Sequence, residues 1–153
     1  MSVQQTIIIP KYGEPGLAYE QKYCMMWDVK KDFPTLTTVF PHAIEINKDF
    51  RDKLYQAWSN LSAAGLLGQI THFDGCLQQR NTRGSSISSL HCWAMAMDLN
   101  AQFNPMKFTH VPDPLNHTTF SKEFVDTMLA SGLYWGGNYN SRFDPMHWAL
   151  FDG

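Results

Sequence analysis

Charge is scarce in this sequence. Asp, Glu, Lys and Arg together make up 17% of its 153 residues, too little for a highly charged or disordered chain. The net charge of -2 and the pI near 6.3 give none of the basic excess that a nucleic-acid binder carries. A basic tail that would hold the chain to an anionic membrane is also missing. Cysteines are few: Cys24, Cys76 and Cys92 are an odd number without CxxC spacing. That excludes a disulfide framework and a thiolate zinc site, and reduced thiols fit synthesis in a cytoplasm. No stretch approaches the ~18 apolar residues of a membrane span. The first ten residues have no basic region and one short apolar run, Ile7 to Ile9. They do not read as a secretory signal. What is abundant is aromatic: 14% of residues, within a hydrophobic content of 44%. The length and this composition predict one domain, 1–153, around an aromatic-rich core.

The periodicity predicts a mixture of helices and strands. Residues 1–18 read as an irregular arm, broken by Pro10, Gly13, Pro15 and Gly16. Tyr23 to Val29 reads as an edge strand or a packed loop. A helix runs from about Lys48 to Ala64, with Phe50, Leu54, Ala57, Trp58 and Leu61 on one face, Asn47 as N-cap and Gly65 as its end. Gln69 to Phe73 reads as a strand, followed by a turn at Asp74-Gly75. A polar loop, 78–89, leads to a buried strand over Trp93 to Leu99. A long loop, 100–119, precedes a second helix starting near Ser121. Tyr134 to Gly137 is a turn-rich aromatic patch, and Met146 to Phe151 is a last core strand.

Two stretches carry chemistry. Ser89-Leu90-His91-Cys92-Trp93-Ala94-Met95-Ala96-Met97-Asp98 sets a histidine, small residues and an aspartate at fixed spacing. Asp144-Pro145-Met146-His147-Trp148 supplies a second histidine and a second carboxylate. Zinc bonds to imidazole nitrogen and carboxylate oxygen at ~2.0–2.2 Å. In a straight strand His91 and Asp98 would lie ~23 Å apart, so the chain must bend between them. This places His91 on a turn and Asp98 on the strand, with Ala94 and Ala96 leaving room on the metal side. His147 sits on the last strand beside Ala149. Asp144 precedes a proline and belongs in the loop before that strand, where it can serve as general base and then acid.

The string S-x-H-x-x-[GA]-x-A-x-D followed by D-P-M-H-W resembles the zinc D-Ala-D-Ala carboxypeptidase family. That family includes phage L-alanyl-D-glutamate endolysin peptidases and shares a fold group with lysostaphin-type enzymes and the hedgehog signalling domain, which implies an α+β fold, a small antiparallel sheet with helices packed on one side. The resemblance runs from about Phe73 to Phe151; Phe73-Asp74-Gly75-Cys76 and Arg80 to Gly84 resemble the family's lead-in. Ala94 stands where glycine is commoner. The resemblance implies one Zn2+ per chain on His91, Asp98 and His147, and Asp144 in the catalytic role. It implies that Arg80 helps bind substrate carboxyl or carbonyl groups, as a planar two-pronged guanidinium can, with Arg83 as a further candidate. Ser89 either orders the motif turn or hydrogen-bonds near the metal. Trp135 either lines the cleft or packs in the core. His42, His72, His110 and His117 match no ligand position.

The implied function is a zinc peptidase of peptidoglycan stem peptides, cutting L-Ala-D-Glu or the terminal D-Ala-D-Ala. The lack of a signal peptide and the small single domain favour a monomeric phage-type endolysin, made in the cytoplasm, released through a holin and acting at the bacterial cell wall. The rivals are a non-catalytic zinc-containing binding or virion module and a cytoplasmic D-Ala-D-Ala dipeptidase.

Overall fold

A computed structural model describes residues 1–82 and 86–153. The fold is α+β, with two small antiparallel sheets and helices between and around them. A π-helical turn, Gln4–Ile8, runs directly into α1 (Ile9–Tyr12), and α2 (Leu17–Tyr23) follows. The arm expected to be irregular is thus helical. Pro10 is the second residue of α1, directly after the π-helical turn, and the helical backbone continues through it. Gly13 and Gly16 break the helix only between α1 and α2. Burial of Ile8, Tyr12 and Tyr19 holds both pieces on the body of the protein.

Strand β1 (Cys24–Trp27) leads through the short helix α3 (Val29–Asp32) to β2 (Ile44–Asn47), and the two strands pair antiparallel. Helix α4 (Lys48–Ala63) then follows the predicted pattern. The Asn47 side chain accepts the Phe50 N–H at 2.9 Å, and Phe50, Leu54, Ala57, Trp58 and Leu61 are all buried. Gly65, at φ +74°, ends it in the left-handed region that glycine enters without strain. The strand expected at Gln69 to Phe73 does not form. Leu67–Gln69 is a 3-10 turn, and only Phe73 makes a bridge, to Leu99. Gln69 and Thr71 instead bond the Asn100 side chain, which takes up the ladder groups that a neighbouring strand would use.

The second sheet carries the two motifs. Its order is β3 (Ala96–Asp98), β5 (His147–Ala149), β4 (Tyr134–Trp135), all antiparallel. The buried strand expected over Trp93 to Leu99 is therefore shorter, because Leu90–Trp93 coils as a 3-10 turn. The aromatic patch expected to be turn-rich over Tyr134 to Gly137 is a strand at Tyr134–Trp135 and a 3-10 turn from Gly136. Helix α5 (Lys122–Ala130) starts at Ser121, whose hydroxyl accepts the Phe124 N–H, and packs against α4. Two aromatic clusters fill the core. Trp27, Phe33 and Phe40 surround Trp58 under the first sheet, and Phe120, Phe124 and Trp135 surround Trp148 under the second. Among the described residues no helix is long and apolar enough to cross a membrane.

Candidate metal centre and catalytic carboxylate

Antiparallel pairing of β3 with β5 sets Asp98 directly opposite His147. Such cross-strand partners have Cβ atoms within about 5.5 Å. His91 reaches the same point because the backbone reverses before β3. The 3-10 turn shortens the path, and Ala94 at φ +52°, ψ +36° redirects it. This is the bend that seven residues of separation demanded, and it accounts for the glycine commoner at position 94. An alanine held there carries strain on the order of 1 kcal/mol.

The Ser89 hydroxyl accepts the His91 N–H at 3.3 Å and so caps this turn. Cys92 N–H donates to the Ser89 carbonyl at 2.9 Å, tightening it further. His91 Nδ1 meets the Cys76 carbonyl at 2.8 Å. A carbonyl only accepts, so Nδ1 carries the proton and Nε2 keeps its lone pair for a metal. That Nε2 is 3.3 Å from Asp98 Oδ2, and His147 Nδ1 is 3.4 Å from Asp98 Oδ1.

The three side chains each offer one ligand atom, all within 4.8 Å of one another. His91 Nε2, Asp98 Oδ1 and both ring nitrogens of His147 are buried without a hydrogen-bond partner. Buried polar atoms are rarely left so. Bonds of ~2.0–2.1 Å in a tetrahedron around zinc would set ligand atoms about 3.3–3.4 Å apart. The ligand atoms all lie within 4.8 Å of one another, and two imidazoles with one carboxylate are a donor set zinc accepts. Burial acts to raise the Asp98 carboxyl, but His147 and His91 facing it outweigh that and hold it below the usual carboxylate range. It is therefore anionic, as a ligand must be.

Asp144 lies in the turn before β5, where its carbonyl accepts the His147 N–H at 3.1 Å. Its Oδ2 is 3.9 Å from His147 Nδ1, and its Oδ1 is buried without a partner. Burial pushes this carboxyl above its ordinary value; the His147 imidazole opposes the shift and the Asp98 charge adds to it. A carboxylate that takes a proton more readily than usual suits a general base. Gly136 makes the turn possible. A Cβ there would meet the Asp144 carbonyl oxygen at 2.3 Å and the Cβ atoms of Asp144 and His147 at 3.0 Å.

Arg80 lies beside the cluster, with Nη2 3.6 Å from Asp98 Oδ2 and Nε donating to Gln78 Oε1 at 3.1 Å. With Ser89, Asp144 and His147 it lines a narrow cleft of about 10 Å³. Arg83 lies outside the described residues. Trp135 is not presented to this cleft. It is 2% exposed, stacks on Trp148, and its indole N–H donates to the Pro145 carbonyl at 2.8 Å. Its role is to fix the backbone between Asp144 and His147, and an aromatic beside two glycines gives no sign in sequence of which way it turns. The Cys76 carbonyl, Gly136 and Arg142, a second cation lining the cleft, were not singled out from sequence. A backbone carbonyl has no residue signature, and the closeness of Gly136 to Asp144 exists only once β4 and β5 are paired.

Residues 82–150 match a family model described as D-alanyl-D-alanine carboxypeptidase. The similarity read from the two motifs thus holds over a stretch that contains all three candidate ligands and Asp144. Cys76 and Arg80 fall just before it. No curated protein and no solved structure matches the chain. At the level of the family, the match supports a peptidase.

Proposed function

With that family match as premise, we propose that this chain is a zinc-dependent peptidase that hydrolyses the stem peptides of peptidoglycan. The observation that carries the reading is the buried His91–Asp98–His147 group with unpartnered ligand atoms and Asp144 beside it. His91 Nε2, an Asp98 oxygen and a His147 ring nitrogen would hold the ion. Zinc in such a site supplies Lewis acidity, polarising a carbonyl and bringing the pKa of water towards ~7.

The chain's own groups do the rest. The Cys76 carbonyl keeps His91 in one tautomer. Asp144 takes the proton of the attacking water and returns it to the leaving amine. Arg80 places positive charge where the carbonyl oxygen gains negative charge. Burial of all four site side chains keeps bulk water from competing. Two bonds suit this chemistry: L-Ala-D-Glu, as in a phage-type endolysin, and terminal D-Ala-D-Ala, as in a carboxypeptidase.

Zinc-loaded protein is to be incubated with purified sacculi and with free D-Ala-D-Ala, and the products weighed by mass spectrometry. Release of peptides from sacculi by the wild type, with loss of turnover by about 10²–10⁴ in Asp144→Asn at unchanged zinc content, is the expected result. Turnover that survives in Asp144→Asn removes Asp144 from the mechanism. No turnover of any substrate by the wild type leaves a non-catalytic zinc module.

A further inference from the structure

One cation at the site has no role in the chemistry above. Arg142 stands two positions before Asp144, and its guanidinium lies over the Tyr139 ring, 4.2 Å from the centroid. Tyr139 is itself buried against the site, its ring centroid 5.9 Å from that of His147. Stacking on a fixed aromatic face limits the freedom of a long side chain and leaves the edge of its fork open. Among the described residues no carboxylate comes within 4.0 Å of Arg142 to form an ion pair. Arg80 differs, since Asp98, Gln78 and the Asn81 carbonyl already surround its guanidinium. Of the two arginines, only Arg142 presents an uncommitted two-pronged donor.

Its position is equally specific. Arg142 and Thr82 line both the narrow cleft at Asp144 and His147 and an open groove of about 510 Å³. The groove continues past Phe108, which is 72% exposed. Asp152 also lines it, so an anionic group is favoured beside Arg142 and disfavoured beside Asp152.

We propose that Arg142 binds the carboxylate of the substrate residue adjoining the scissile bond, and that the groove beyond it receives the rest of the peptide where that residue is a D-glutamate linked onward. The inference rests on the peptidase reading for the identity of the ligand. Either candidate bond provides such a carboxylate: the free α-carboxylate of a D-glutamate linked onward through its side chain, or the chain-terminal carboxylate of D-alanine.

The test compares acids with their carboxamides. The peptides are L-Ala-γ-D-Glu-L-Lys and acetyl-L-Lys-D-Ala-D-Ala, each with and without amidation of the carboxylate in question. Binding to zinc-loaded Asp144→Asn protein is measured by calorimetry, so that turnover does not interfere, and hydrolysis is measured with the otherwise wild-type enzyme. The protein should bind one acid more tightly than its amide. Adding Arg142→Ala should weaken that acid by about 10- to 100-fold, the effect of a charge-assisted hydrogen bond, and leave the amide unchanged. Arg142→Lys, which keeps a cation over Tyr139 without the fork, should fall between. In hydrolysis the loss should appear in KM more than in kcat, with melting temperature and zinc content unaltered. Equal loss for acid and amide, no loss, or failure of both acids to bind overturns the assignment. Arg142-dependent binding of an acid without hydrolysis would overturn the peptidase reading and leave the carboxylate site standing.

Discussion

The two parts of this chain serve the candidate site in different ways. Residues 82–150, the stretch that matches the family model, supply His91, Asp98, Asp144 and His147. Residues 1–81 supply none of these, yet they hold the motif turn from behind. Tyr19 donates its hydroxyl to the Trp93 carbonyl at 2.6 Å and accepts the Asn47 side-chain N–H at 2.9 Å. The Trp93 indole N–H donates to the Gly13 carbonyl at 3.0 Å, and the Asn47 N–H donates to the Ala94 carbonyl at 3.1 Å. Gln4 reaches the Ser88 carbonyl at 2.7 Å. One part thus carries the candidate ligands and Asp144, and the other, besides bringing Arg80 and the Cys76 carbonyl to the site, fixes the bend that gathers them. A backbone held in a left-handed conformation at Ala94 persists only when its surroundings enforce it.

Substitutions on the two sides should therefore fail differently. The largest effect is expected at the ligands. His147→Ala should lose tight zinc binding and hydrolysis together. It should also lose the stabilisation that the metal gives the wild type, about 4 kcal/mol at a free zinc concentration of a thousand times Kd; melting curves with and without chelator measure this. Next comes Gly136→Ala, where the added methyl must displace the Asp144 carbonyl. Overpacking of that kind costs about 1–3 kcal/mol. Displacing Asp144 by even ~1 Å should lower kcat by about 10². Retained full activity would show that Asp144 need not be held where it lies.

On the bracing side, Tyr19→Phe leaves a buried carbonyl and a buried amide short of a partner. It should destabilise by about 1–3 kcal/mol in a denaturant titration while the folded fraction keeps its kcat. A specific loss of kcat at full folding would erase the proposed division between chemistry and bracing.

A smaller effect follows from Asp144 itself. Its carboxyl is raised in the folded protein, so folding favours its protonated form. Ionisation above the raised value therefore costs stability, and below the ordinary ~3.9 there is no cost. Metal-free Asp144→Asn should melt above the metal-free wild type at pH 7, with the gap closing as pH falls towards 4. A gap independent of pH would assign the difference to packing. Smallest is Ala94→Gly, where relief of left-handed strain and loss of a buried methyl oppose each other. Its stability change should stay within about 1 kcal/mol.

Local patterns were legible where they depend on neighbours in sequence. The stripe of α4 from Phe50 to Leu61, its Asn47 cap, and the start of α5 at Ser121 needed only spacing and capping chemistry. The candidate ligands were legible because residue type and a fixed interval define them. The helical arm departs from the expectation because proline and glycine mark breaks, whereas here the helical backbone runs on through Pro10. The strand expected at Gln69 to Phe73 failed because a side chain, Asn100, satisfies the backbone that strand pairing would have used. Trp135 could face either way until its indole found the Pro145 carbonyl.

The order of residues alone determined which groups can bind a cation and that the backbone between His91 and Asp98 must turn back on itself. Tertiary structure decided how it turns, which nitrogen of His91 is free, how near Asp144 stands to His147, and that Arg142 and Arg80 have different surroundings. Those outcomes depend on strand register and on carbonyls brought in from Gly13, Cys76 and Pro145. Distances across a fold arise from packing between segments remote in sequence, and no interval along the chain encodes them.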